Sequence, residues 1–310
     1  MFEAHNTMDT TESAVCTVIE PNADVSGTGI RASIYALCLG GRLLAFVTRL
    51  VANGHPSEEF ERSYKNALGL QGMALLCTSW YQATHDQLTL FHAIVVIHLL
   101  ALLGVNMASR ISSKGPNKVR FFMNSFLVVC ATATFIGFNV YVWVRAPDFG
   151  SQPECNDSVV YVLFGQSIQA TNNVFRYIIL ATLAAPPAGF IIFLLIGAPC
   201  WVASCCFYRR HFRDFDPPST TVTFEEDASS ISEGKGAREF IQVMAYIAFS
   251  IYAIVSLEQM IKRNPVSEEE TEWSFGQIIA LFLLLGPTVD FMNAVVEGFR
   301  KTPSNDERVD

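Results

Sequence analysis

Charge is what this chain does without over most of its length: residues 66–85, 88–109, 121–144, 177–208 and 275–289 contain no Asp, Glu, Lys or Arg. A soluble domain of 310 residues does not leave so much of itself uncharged, because its helices need a polar face toward water. Most of the runs reach the roughly 20 apolar residues that cross a hydrocarbon core. They lack the alternation of apolar and polar residues that a membrane barrel requires, so helices are the spanning element. The fold class is therefore all-α, a polytopic transmembrane helix bundle with the lipid bilayer as its first partner.

Other absences narrow the function. No G-x-S-x-G, phosphate loop or acid–base pair of carboxylates occurs, so neither an enzyme nor a cofactor is expected. His92 and His98 stand six residues apart and do not share a helix face, and no two His four apart with a carboxylate make a zinc site, so no metal is expected. A net charge of −8 argues against nucleic acid as a partner. No internal repeat marks an inverted-repeat transporter. Residues 1–30 have no apolar stretch of signal-peptide type, and the first span is expected to direct its own insertion.

What is present divides into an outer tail at 1–30, a bundle at 31–297 and an inner tail at 298–310. Seven spans are expected at about 31–52, 66–85, 88–109, 121–144, 175–204, 238–260 and 274–297. The few residues around His85-Asp86-Gln87 force the second and third into an antiparallel hairpin. With the N-terminus outside, fourteen of the 21 Lys and Arg fall on the inner side, among them Arg110, Lys118, Arg209 and Arg300. Arg31, Arg145, Arg176, Lys262 and Arg263 are then the outer ones, and this bias sets N-out, C-in. Such a protein belongs to the secretory pathway or the plasma membrane. The sequon Asn156-Asp157-Ser158 falls on the outer side, which makes Asn156 the expected N-glycosylation site. Trp80, Tyr81, Tyr141, Trp143 and Trp273 fall near outer span ends, at headgroup level.

Several local features depart from plain spans. Pro186-Pro187 removes two donors from the middle of the fifth span and predicts a kink or break. In the outer loop 146–174, the apolar segment Val159–Phe164 is too short to span and is expected to cover the bundle as a strand or re-entrant cap. The inner loop 209–237 opens on Arg209, Arg210 and Arg213, a cluster suited to anionic lipid, and turns Pro-, Ser-, Thr- and acid-rich, the composition of disorder. Of eight cysteines, Cys16 and Cys155 lie on the oxidising side and form the expected disulfide. Cys200, Cys205 and Cys206 beside Arg209 suit palmitoylation.

Intramembrane charge is the strongest functional signal. Arg42 lies inside the first span and Asp290 inside the last, where an unpaired charge is costly. Arg42 and Arg49 are seven apart, as are Asp290 and Glu297, and the two helices run in the same direction. Packed side by side, they would bring Arg42 to Asp290 and Arg49 to Glu297. Such pairs either lock the two helices or belong to a switch or substrate path.

The stretches Asn22–Arg31, Gln87–Ala93 and Trp273–Gln277 resemble a family of uncharacterised fungal multi-span membrane proteins. The resemblance covers most of the chain and implies the membrane class, with no activity or ligand. The seven-span, N-out plan is also similar to that of G-protein-coupled receptors. The details differ: Met107-Ala108-Ser109-Arg110 has no acid before its Arg, Gly286-Pro287-Thr288-Val289-Asp290-Phe291 lacks the flanking Asn and Tyr, and no Lys in the last span could carry retinal. Three classes follow: a receptor or sensor, favoured by topology and the outer loop; a small-solute or lipid transporter or channel using Arg42 and Asp290; and a membrane scaffold.

Overall fold

A computed structural model of the chain describes residues 16–51, 58–108, 118–192 and 228–300. The first helix is built from α1 (Ala23–Ser26), α2 (Thr28–Tyr35), a π-helical segment (Ala36–Gly40) and α3 (Gly41–Val51). There follow α4 (Glu58–Thr84), α5 (Leu90–Ala108), α6 (Lys118–Arg145), strands β1 (Val160–Leu163) and β2 (Gln166–Gln169), α7 (Asn173–Ile192), α8 (Ala228–Arg263), α9 (Phe275–Phe282) and α10 (Leu285–Arg300). Four stretches, Ala23–Val47, Ser125–Asp148, Phe240–Arg263 and Glu268–Glu297, are helical, long and apolar enough to cross a membrane. The chain divides into two units, one of residues up to 172 together with those from 250 onward, the other of 173–249.

In the larger unit α5 is the core. It is apolar on every side, and a helix of that kind is stable only when surrounded. Every side chain from Leu90 to Val96 is buried, as are Leu99, Leu100, Leu102 and Leu103. The turn at residues 85–89, with Asp86 at φ 52, folds α4 back against α5 as the short connection requires. The outward face of the unit is apolar too. Phe122 is 70% exposed and Phe282 64%, and Phe126, Val129, Val289 and Met292 are exposed as well, side chains suited to hydrocarbon.

The smaller unit holds α7 and the first part of α8. Here two expectations change. α7 runs unbroken from Asn173 to Ile192 through Pro186 and Pro187, so the lost donors do not end the helix. The inner loop expected at 209–237 is helical from Ala228, where α8 begins. Residues 209–227, including the basic cluster at Arg209, Arg210 and Arg213, and the cysteines at 200, 205 and 206 lie outside the described residues.

Short elements cover one end of the larger unit. β1 and β2 form an antiparallel hairpin closed by Phe164 and Gly165, both at positive φ (48 and 77), as a two-residue hairpin turn of the primed type demands. The hairpin rests on one face of α8. Asn264 meets the backbone of Val160 with both amide atoms (2.8 and 2.9 Å), and the Ser256 hydroxyl donates to the Val162 carbonyl at 2.6 Å. Tyr252 accepts the Phe164 N–H on its hydroxyl at 3.1 Å, and its ring stacks on Phe164 at 5.2 Å. Half-buried among these elements, the Tyr161 phenol is pushed up to about 12, first by desolvation and then by Tyr252.

The N-terminal segment belongs to this cap. Cys16 is bonded to Cys155. Ile19 is fully buried and pairs with the 265–267 backbone: its N–H donates to Pro265 at 2.8 Å, and its carbonyl accepts from Ser267 at 3.2 Å. Residues 16–30 of the expected outer tail are thus tied to the cap, and the first helix starts at Ala23, eight residues before the expected boundary. Gly150 (φ +76) lies so close to Leu88 O that no Cβ fits between them.

Candidate functional site

Where cap and helices meet, polar side chains from distant parts of the chain converge on Glu270, which is only 5% exposed. The N–H of Asn22 donates to its Oε2 at 2.7 Å, and the Ser26 hydroxyl, one turn on, donates to Oε1. His92, fully buried on α5, places Nε2 3.3 Å from Oε2 and Nδ1 2.6 Å from the Thr89 hydroxyl. Asn22 also donates its side-chain amide to Gln82 Oε1 at 2.9 Å, which brings in α4. Donors approach both carboxyl oxygens, the arrangement that an ionised, acceptor-only group satisfies. With the Thr89 hydroxyl donating to Nδ1, Nε2 is the nitrogen that carries the proton toward Glu270.

This order of hydroxyl, imidazole and carboxylate has the connectivity of a nucleophile triad. Its setting differs. Thr89 is 5% exposed, and its oxygen also accepts the His92 N–H at 3.4 Å as the cap of α5. A buried capping hydroxyl is not poised to attack a substrate. Among the described residues no group of three His, Cys, Asp or Glu is arranged to hold a metal ion.

Two further contacts extend the cluster. Gln277, fully buried at the start of α9, accepts the Gly29 N–H at 2.8 Å and donates to the Glu272 carbonyl at 2.7 Å. Helix α2 has no side-chain cap of its own, and Gln277 supplies one from the other end of the chain. Gly27 and Gly29 make the approach feasible, since a Cβ on either would run into Gln277. Arg31 donates to the Ser26 carbonyl at 2.8 Å and pairs with Glu258 on α8, which also accepts the Tyr35 hydroxyl at 2.7 Å. Arg31, one of the expected outer charges, is 8% exposed and paired with Glu258.

Asn22 with Glu270 and Gly29 with Gln277 share one sequence separation, 248 residues. First and last helices therefore lie parallel in a fixed register. α9 packs on α2 and α10 on α3. The separation of Arg42 from Asp290, and of Arg49 from Glu297, is the same. Asp290 is half-buried and Glu297 exposed, while the side chains of Arg42 and Arg49 lie outside the described residues. The backbones thus set the inner parts of the two helices beside each other.

Other sequence-derived sites change character. Asn156 is 1% exposed, and its Nδ2 donates to the carbonyls of Pro147 (3.2 Å) and Phe149 (3.0 Å). A glycan on that nitrogen would displace one of these bonds, so the expected glycosylation of Asn156 would require the buried amide to leave this site. Trp143, expected at the interface, is 1% exposed and packs on Tyr161. Tyr81 and Trp273 are exposed.

Glu258, Glu270, Gln277 and the Thr89–His92 pair were not visible as a site in the sequence. Glu270 is one of three consecutive glutamates, and nothing local marks it from Glu268 and Glu269, which are exposed. The three stretches singled out above, 22–31, 87–93 and 273–277, do meet here. Comparisons with protein-family models, with curated proteins and with solved structures give no match.

Proposed function

We propose that the chain is an integral membrane protein of seven spans, N-terminus outside and C-terminus cytoplasmic, acting as a receptor- or sensor-like protein of the secretory pathway or plasma membrane. The seven-span reading is supported by α4, α5 and α7, which supply three helices beyond the four that are long and apolar enough on their own. The orientation is supported by the basic residues and by the disulfide in the cap, which suits an oxidising compartment. One observation carries the sensor reading: a disulfide-bonded cap is joined through Glu270 to α1, α5 and the start of the last helix. A ligand that shifts the cap must disturb this cluster, and the last helix runs from it to the opposite end of the bundle.

The test places an environment-sensitive fluorophore on Val296→Cys near the far end of α10 and compares Glu270 with Glu270→Gln in nanodiscs. A coupled bundle changes its emission when the cluster is weakened. Unchanged emission speaks for a scaffold. Flux of small solutes through reconstituted vesicles would favour the second reading, a transporter or channel, to which the break in the last helix at 283–284 lends support.

A further inference from the structure

Beyond Gly27, which separates α1 from α2, the first helix has one further irregularity among the described residues, and the last helix is interrupted once. The first carries five π-helical residues, Ala36–Gly40, between α2 and α3. The last opens at Leu283 and Leu284 between α9 and α10. Pro287 has no N–H for the Leu283 carbonyl, and the Leu284 N–H turns back three residues to Leu281 at 3.0 Å. Carried along the shared separation of 248 residues, the π segment stands level with 284–288. We propose that these two interruptions form a single hinge, at which the outer halves of both helices, locked to the cap, pivot as one body on the inner halves.

The contacts on either side differ in kind. Outside the hinge, Gln277 caps α2, Glu270 binds Asn22 and Ser26, and Arg31 pairs with Glu258: directional bonds that tie α2 and α9 to the cap. Inside it, α3 and α10 pack on each other and on α4 through apolar contacts such as Phe60 on Phe291, 5.8 Å between ring centres. α4 spans the hinge and registers it. Gln71 touches Ser33 just outside the π segment, and Tyr64 lies against Gly41 just inside it, so close that a Cβ on Gly41 would enter the ring.

Gln71 supplies independent support. The Ser33 hydroxyl donates to the Ile30 carbonyl at 2.8 Å and so accepts from Gln71 Nε2, which fixes the orientation of the amide. Its Oε1 is then buried with no hydrogen-bond partner. Buried acceptors are seldom left without a partner. A pivot of α2 across α4 changes what Oε1 meets. The hinge holds whichever way the chain is oriented in the membrane and whether it signals or transports.

The test is distance measurement between nitroxides on the full chain in nanodiscs, with the accessible free cysteines replaced by serine. Thr28→Cys with Leu43→Cys spans the π segment, and Phe275→Cys with Met292→Cys spans the break; all four sites are exposed. Each pair lies about 20–25 Å apart along a helix rising 1.5 Å per residue. Both pairs should give two-component distributions, and Pro287→Ala, which restores a donor to the last helix, should narrow both to one component. A single narrow distribution in the parent protein overturns the hinge. So does a Pro287→Ala variant that narrows only the last helix or neither. Failure of that variant to fold would leave the parent distributions to decide.

Discussion

Glu270 gathers donors from segments 178 and 248 residues away, so its removal strands buried groups on two elements at once. Glu270→Ala should lower the stability of the detergent-solubilised protein by about 2–4 kcal/mol, since stranded buried donors cost more than the bonds themselves were worth. Thermal unfolding at fixed detergent measures it, and an effect within about 0.5 kcal/mol, typical of surface sites, would show that the cluster is not cohesive. Arg42 and Asp290 are read by a double-mutant cycle. Each alanine variant should cost on the order of 3 kcal/mol, and the double variant clearly less than both together, because neither charge is then left alone. Additive losses would show that the two side chains do not meet. Asn156 should stay unmodified in a eukaryotic host, given two bonds to its amide. A mass shift removed by glycosidase would contradict its burial. The carboxylate at 270 was illegible in the sequence because its partners are set by tertiary register, whereas the spacing of Arg42, Arg49, Asp290 and Glu297 led to the expectation that the first and last helices lie side by side, as α9 on α2 and α10 on α3 do.

At the scale of elements, neighbouring glycines separate packing from propensity. A Cβ on Gly40 meets nothing within 4 Å, while one on Gly41 enters the Tyr64 ring. Gly40→Ala should therefore leave stability unchanged or raise it by about 0.5–1 kcal/mol, and Gly41→Ala should lower it by about 1–3 kcal/mol. Similar effects from the two substitutions, read from melting curves, would show that α4 does not seat against the first helix there. Elements with a strong local signature were legible: the tight turn at 85–89, the short apolar segment that became β1, and α5 from its uniform apolarity. The breaks were not. Pro186-Pro187 drew the expectation of a kink or break, and α7 is not broken there; the last helix opens two residues before Gly286-Pro287. Proline removes one donor wherever it stands; whether the helix ends depends on neighbours that can re-satisfy the freed carbonyl, and these are not written locally.

For the whole molecule, the account needs the cap and the inner ends of the first and last helices on opposite sides of a bilayer. That follows from an odd number of crossings, and no single helix decides it: among the described residues four stretches are long and apolar enough to span, while α4 carries charge at Glu58–Lys65 and α5 is sheltered by its neighbours. The direct measurement is labelling of intact cells with a membrane-impermeant maleimide, the Cys16–Cys155 bond kept and the free cysteines replaced by serine. Ser167→Cys on the hairpin should label without permeabilisation, and Asp310→Cys only after it. Labelling of both from the same side would contradict the seven-span reading and, with it, any transmission from cap to cytoplasm.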